Sequence, residues 1–376
     1  MIYLDYAATT PMRDEALQVY SDVAKKMYGN PSSLHDIGTK AKNLLEGCRE
    51  ELALLLNADT KGIYFTSGGS DANILAIQSL ISANRKRGNQ IITTQLEHSS
   101  ILNLCKRLEG DGYIVTYLHV NSHGEVDLDE LENAITDQTI LASIHHVNSE
   151  IGVIQPLKQI SAILKKHNII FHSDCVQSFG KLPLDVIDIG VDSISISSHK
   201  IYGPKGVGAV YINPIVKWQG QFPFTTHEGG FRPGTVNVPG ISGFVTAAQL
   251  IYNEMTSEQS RILELRKRLI DGVENLNYPF EMLNDSFKQL PNILGLLLIG
   301  IEGQYTMLEC NRYGIAISTG SACQVGQQTP SKTMLAIGKS PENAKQFIRL
   351  SFGKYTTTDD IDKTIDVFKN LLENKK

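Results

Sequence analysis

The sequence has no pair of cysteines close enough to form a C-x-x-C motif. Its five cysteines, Cys48, Cys105, Cys175, Cys310 and Cys323, are widely spread and odd in number. That pattern argues against both a disulfide framework and a structural zinc site. There is no concentrated Lys/Arg block either. The chain has 35 basic and 40 acidic residues, a formal net charge of -5, so no direct nucleic-acid partner is expected. The opening residues, MIYLDYAATTPMRDE, lack the basic and apolar regions of a secretory signal. The longest apolar stretch, ILGLLLIGI at 293–301, is far too short to span a bilayer and reads as a buried strand. A cytoplasmic protein without a membrane partner is expected. Internal repeats and low-complexity segments are also lacking.

What is present is an ordinary globular balance over 376 residues, 41% hydrophobic and 20% charged, enough for a substantial core. Seven β-rich runs read as strands: GIYFTS (62–67), QIITTQ (90–95), YIVTYLH (113–119), TILASIHHV (139–147), IIFHSD (169–174), SISISS (193–198) and GAVYI (208–212). Stretches with helical spacing, such as 70–88 and 157–168, lie among them. This alternation predicts an α/β fold with a mostly parallel seven-stranded sheet, ligands binding at the strand ends. Beyond residue 250 the character changes. A charged helix is expected over 256–276, strands near 292–301 and 314–318, then helical stretches PENAKQFIRL and DDIDKTIDVFKNLLENKK. This suggests a large domain at 14–250. A smaller α+β domain would comprise 1–13 and 251–376 and carry a cysteine loop at about 318–333.

Several strand ends carry chemistry. FTSGGSDAN (65–73) turns through Gly68 and Gly69 into a helix at Ser70, an arrangement that suits an anion as well as a plain capped turn. IIFHSDCVQSFGK (169–181) ends in His172, Asp174 and Gln177. A carboxylate leaving an apolar strand must be paired, as a helix cap or against a cationic ring nitrogen. SISISSHKIYGPKG places Ser197, Ser198, His199 and Lys200 at a strand end, where burial would make a lysine a useful nucleophile. His98 follows another strand and could stack on a flat ligand or move protons. His145 and His146, adjacent within a strand, read as structural. Cys323 stands alone among Gly, Ser, Thr, Gln and Pro in ISTGSACQVGQQTPSK.

In order and spacing, YLDYAATTP, GNPSSLH, FTSGGSDAN, EHSSI, HVNSEIG, HSDCVQSFGK, SSHKIYGPKG, RPGTVNVPG, STGSACQ and RLSFG resemble the NifS/IscS-type cysteine desulfurases. These are enzymes of the class V aminotransferase family and of PLP (pyridoxal 5'-phosphate) fold type I. The resemblance implies that Lys200 holds PLP covalently, Asp174 pairs with the ring nitrogen, and His98 stacks on the ring and assists proton transfer. Gln177 would bond the ring oxygen, with Asn148 and Ser149 also at the cofactor. Gly69, Ser70, Ser197 and His199 would hold the phosphate, with Thr235 reaching in from a second subunit of a homodimer. Arg349 and Asn148 would bind the substrate, Arg349 through its carboxylate. Cys323 falls on the sulfur-accepting position and would carry the sulfur of L-cysteine as a persulfide. The acceptor would be an iron–sulfur scaffold, a tRNA-thiolating enzyme or a dedicated apo-iron–sulfur enzyme.

Ser149 stands where the family commonly has a second Asn, and Ser70-Asp71 replaces the more usual Thr-Glu. Cys175 is the rival thiol, read as structural; Cys48, Cys105 and Cys310 read as core. Selenocysteine lyase or another class V activity is the alternative chemistry. A non-catalytic sulfur carrier or scaffold partner is the alternative of a different class.

Overall fold

A computed structural model describes residues 1–222, 224–283, 288–320 and 330–373. Seven strands build the main sheet: β2 (Ile63–Thr66), β3 (Gln90–Thr94), β4 (Ile114–Leu118), β5 (Thr139–Ser143), β6 (Ile170–Asp174), β7 (Ser193–Ser197) and β8 (Gly208–Ile212). Each falls inside one of the seven runs read from the sequence. Their order is β2-β8-β7-β6-β5-β3-β4, and only β8 runs against its neighbours. Side chains alternate between two cores, one per face. Ile92, Ala142, Phe171 and Tyr211 join one core; Ile91, Leu141, Ile170 and Val210 join the other. Burial on both faces explains why these strands read as near-continuous apolar runs.

A second, antiparallel sheet has the order β12-β10-β9, formed by β9 (Phe280–Leu283), β10 (Ile293–Leu298) and β12 (Phe347–Ser351). Near it β1 (Ile2–Tyr3) pairs in parallel with β11 (Ile315–Ala316). Two expectations need correction here. PENAKQFIRL is helical only over Pro341–Ala344; Phe347–Ser351 is a fully buried strand paired to β10. A short apolar run has no period that separates helix from buried strand. The helix expected at 256–276 in fact runs from Val238 to Glu274. Its first half was hidden by Pro239, Gly240 and Gly243, yet proline is tolerated in a first helical turn. This helix gives Val238 to Ile251 to one core of the main sheet and Ile262 to Val273 to the core of the smaller sheet. The boundary expected at 250/251 thus lies inside a continuous helix.

Candidate active site

The parallel strands of the main sheet deliver their carboxyl ends to one edge, and the site forms there. After β2 the backbone turns at Gly68, with φ +142°, into the helix Gly69–Asn84. Glycine is needed once in this turn and once in β8, which packs against it. A Cβ on Gly69 would lie 2.7 Å from Val176 Cγ2, and one on Gly208 would lie 2.8 Å from the Gly68 carbonyl carbon. Asp71 pins the turn from outside. Its Oδ2 accepts from Ser67 N at 2.9 Å, Ser67 Oγ at 2.7 Å and Arg232 Nε at 2.9 Å. The helix start, with its unpaired amides and positive potential, is left facing the cavity.

That cavity has a volume of about 790 Å³ and is lined by Gly69, Ser70, His98, Asn148, Ser149, Asp174, Gln177, Ser197, His199, Lys200 and Arg349. The fold thus gathers all but two of the residues to which the family resemblance gives a role; His172 and Ser198, also at strand ends, do not line the cavity. Thr235 is exposed and lines a separate cleft of about 100 Å³ that shares Ser67 and Gly206 with the main cavity. Cys323 lies outside the described residues. The described residues nearest to it in sequence, Gly320 and Pro330, line a cleft that also touches His98, Asn148 and Ser149. In that cleft Ser331 Oγ donates to Glu150 Oε2 at 2.5 Å, and burial raises the Glu150 carboxyl above its ordinary range.

Lys200 follows β7 and its Nζ donates to Ala7 O and Ala8 O, both at 2.7 Å. Beside it, burial and the Lys200 charge push the Lys181 ammonium down to about 7. Gln177 is held at both ends of its amide: Nε2 donates to Ala7 O at 2.9 Å, and Oε1 accepts from Lys181 Nζ at 3.4 Å. His199 is pushed down to about 4 by burial first and by Lys200 and Lys205 next. It is therefore neutral at physiological pH, with Nδ1 3.1 Å from Thr9 Oγ1.

Asp174, the last residue of β6, is 7% exposed. Its Oδ1 accepts from Val176 N at 2.9 Å and its Oδ2 from Asn73 Nδ2 at 2.7 Å. Arg349 comes from the other sheet. Its Nη1 donates to Ser149 O at 2.9 Å and its Nη2 to Asp5 Oδ1 at 2.7 Å, while the buried Nε has no partner among the described residues. Ser149 therefore contributes its backbone to the guanidinium, a contact independent of its side chain.

Sequence reasoning missed two cavity residues, Asn73 and His145, and one residue outside the lining, Asp5. Asn73 sits one helical turn beyond Gly69, on the face that the turn aims at the site. Asp5 orients Arg349. His145, read as structural, lines the cavity. Period-two alternation fixes that it faces away from His146 but not which side holds the cavity. Cys175 is fully buried, and burial pushes its thiol up to about 12, in keeping with a structural role.

A lysine amine, a buried carboxylate, a neutral histidine and a helix N-terminus around one cavity at the edge of a parallel sheet define an α/β enzyme for an anionic, ring-bearing cofactor. The chain belongs to the aminotransferase class-V family, whose model matches residues 2–364. It is 50% identical to a NifS-named protein of Bacillus subtilis over the whole chain and 96% of that protein. It is 42% identical to the cysteine desulfurase IscS of Clostridium botulinum, over the whole chain and 95% of the relative. Among solved structures, a NifS-like protein superposes with a TM-score of 0.93 at 32% identity, covering 99% of both chains. SspA in complex with cysteine matches with a TM-score of 0.84 at 32% identity, covering 95% of this chain and 100% of that one.

The protein is a PLP-dependent enzyme, and the cavity fits PLP on its own features. Ser197 Oγ is buried without a hydrogen-bond partner among the described residues, as a phosphate-binding hydroxyl would be before its ligand arrives. The missing Cβ at Gly69 leaves the backbone open beside it. Asp174 and Lys200 open onto the same space.

Proposed function

We propose that this protein is a cysteine desulfurase that converts L-cysteine to L-alanine and passes the sulfur, as a persulfide on Cys323, to an acceptor protein. The observation that carries this is the convergence of Lys200, Asp174, Ser197, His199 and Arg349 on one cavity, in a chain whose relatives bear the name cysteine desulfurase. PLP bound there supplies an electron sink that weakens bonds at the carbons next to the substrate amine.

Each residue has a task set by its place. Asp174, oriented by two N–H donors, pairs with a cationic ring nitrogen. Gly69, Ser70, Ser197 and His199 hold the phosphate against the helix start. Gln177 and Asn148 meet the ring oxygen side. Arg349 offers its unpartnered Nε–H and the planar edge beside it to the substrate carboxylate. Lys200 Nζ anchors the cofactor, and once displaced by the substrate amine it holds and returns protons. The two backbone carbonyls at 2.7 Å fix where that amine waits. Cys323, as thiolate, forms a bond to the substrate sulfur while the carbon–sulfur bond breaks. Support for its position comes from Gly320, which lines the cavity.

The same reading takes the enzyme as a cytoplasmic homodimer. Thr235, exposed and outside the cavity of its own chain, would complete the phosphate site of the second subunit. It also takes residues 14–250 as a cofactor-binding unit and 1–13 with 251–376 as a smaller unit, supported by their separate cores. Among the described residues no helix is long and apolar enough to cross a membrane. The acceptor belongs to iron–sulfur cluster or thio-cofactor and tRNA synthesis. The test is to feed L-cysteine with a reductant and measure alanine and sulfide. Wild type should produce both, and Lys200→Ala neither. Sulfide release at full rate by Cys323→Ala would remove that thiol from the mechanism.

A further inference from the structure

The cavity wall carries a second lysine, Lys205, in the turn that joins β7 to β8. That turn is pinned along its length. Ser198 N donates to Val207 O at 3.1 Å, Gly203 N to Ser198 O at 3.1 Å and Tyr202 N to Thr10 Oγ1 at 2.8 Å. A Cβ on Gly203 would lie 2.2 Å from Ser198 Oγ, and one on Gly243 would lie 3.4 Å from Pro204 Cδ. Lys205 is exposed and leaves a backbone that is fixed on both sides of it. The turn also runs between the two elements to which the phosphate is assigned. Gly208, just beyond Lys205, pairs with Ser197 and packs against Gly68, whose carbonyl carbon lies 2.8 Å from the place of a Cβ.

The other charges on the wall are already committed. They are the carboxylates Asp71 and Asp174 and the cations Lys200 and Arg349. Asp71 is paired with Arg232 at 2.9 Å and Arg349 with Asp5 at 2.7 Å. Lys200 Nζ donates to two backbone carbonyls and is taken up by its bond to PLP, while Asp174 is assigned to the ring nitrogen. Lys205 enters no ion pair among the described residues. The groups assigned to the phosphate, namely the Gly69 amide, Ser70, Ser197 and His199, carry no formal charge. His199 is held neutral by burial first and by the Lys200 and Lys205 charges next, so the Lys205 charge is felt at that histidine. A phosphate monoester carries about −1.5 to −2 charges at neutral pH, and the chain's formal net charge of -5 opposes its approach.

We infer that Lys205 is a cofactor-capturing residue, whose ammonium at the rim of the cavity draws the phosphate of PLP toward the helix start at Gly69. A charge so placed acts on the rate of encounter more than on the final affinity, and salt screens it. The inference rests on the phosphate placement proposed above and is independent of the desulfurase reaction.

The test mixes the full chain, freed of cofactor, with PLP over a range of concentrations and follows the growth of visible absorbance by stopped flow, with no cysteine present. At low ionic strength Lys205→Met should bind PLP about three- to tenfold more slowly than wild type, and at about 0.5 M salt the two rates should converge. Lys205→Arg should keep the wild-type rate, and Lys205→Glu should be slower than Lys205→Met. Pyridoxal, which lacks the phosphate, should bind all four proteins at one rate. A wild-type PLP rate in Lys205→Met, an arginine variant as slow as the methionine one, or an equal slowing of pyridoxal overturns the inference. Ser197→Ala tests the phosphate placement separately, since it should release PLP faster while keeping the salt dependence of binding. Release from Ser197→Ala at the wild-type rate moves the phosphate elsewhere and overturns placement and inference together. Faster release there, with no effect of Lys205→Met, overturns the capture role alone.

Discussion

Replacing Arg349 by lysine keeps the charge and removes the plane. Arg349 is 4% exposed; Nη1 and Nη2 are tied to Ser149 O and Asp5 Oδ1, and Nε is left for a ligand. The two protein contacts fix the plane of the guanidinium. Lysine can direct one strong donor at a carboxylate where arginine directs two. Losing one charge-assisted hydrogen bond is worth roughly 1.5–3 kcal/mol, or about 10- to 150-fold in kcat/KM. The stability cost is smaller. The Asp5 side chain is 20% exposed, so water replaces part of the lost pair, and the change should stay near about 1 kcal/mol. The assay is alanine formation against L-cysteine concentration, with thermal unfolding measured alongside. The loss should appear mainly in KM, with the unfolding midpoint lowered by a few degrees at most. If KM keeps its wild-type value while kcat collapses, Arg349 does not hold the substrate carboxylate, and the argument from its free edge is wrong.

Other outcomes follow from the same geometry. Gly69→Val would drive side-chain atoms into Val176, whose Cγ2 lies 2.7 Å from the position of a Cβ; PLP retention, read as visible absorbance after gel filtration, should fall sharply while helical content is kept. Burial pushes His172 down to about 3 and His146 down to about 4. The unfolded chain therefore binds more protons than the folded one between those values and about pH 6.5. Their contribution to stability is complete above pH 6.5 and declines as the pH falls toward 4. The unfolding midpoint should drop over that range, less steeply in His172→Gln, and an unchanged slope would contradict the assignment. Cys105, Cys175 and Cys310 are buried with thiols pushed up to about 12, and Cys48 is buried and raised. Iodoacetamide at neutral pH should label Cys323 alone on the native protein; mass spectrometry that finds Cys175 labelled as fast would refute the choice of reactive thiol.

Much of this was legible because buried strands in a two-sided sheet write themselves as apolar runs. All seven central strands were found, and the residues at their ends fell on one cavity. The strand Phe347–Ser351 was not, since its burial on both faces erases the alternation that would identify it. The motif RLSFG nevertheless pointed to Arg349. The roles of Asn73 and Asp5 escaped because neither has an unusual neighbourhood in sequence. Asn73 acts across a helix–strand contact to Asp174, and Asp5 acts on a residue 344 positions away. His145 escaped for a different reason: alternation shows that two neighbours diverge, and only the packed fold shows which one meets the ligand.

The contacts of the N-terminal segment have a consequence for how the protein is made. Ile2 pairs with Ile315, Leu4 is fully buried, Ala7 N donates to Ser351 Oγ, and the carbonyls of Ala7 and Ala8 hold Lys200. A ribosome adding about 5–20 residues per second needs roughly 20–70 s to travel from Asp5 to Arg349. Throughout that time Ile2 and Tyr3 have no strand to pair with, while the central sheet can already close around an unfinished pocket. The Lys200 amine thus gains its two carbonyl partners only when the segment around Ala7 docks, and that segment is anchored in turn by Ser351, from the far end of the chain.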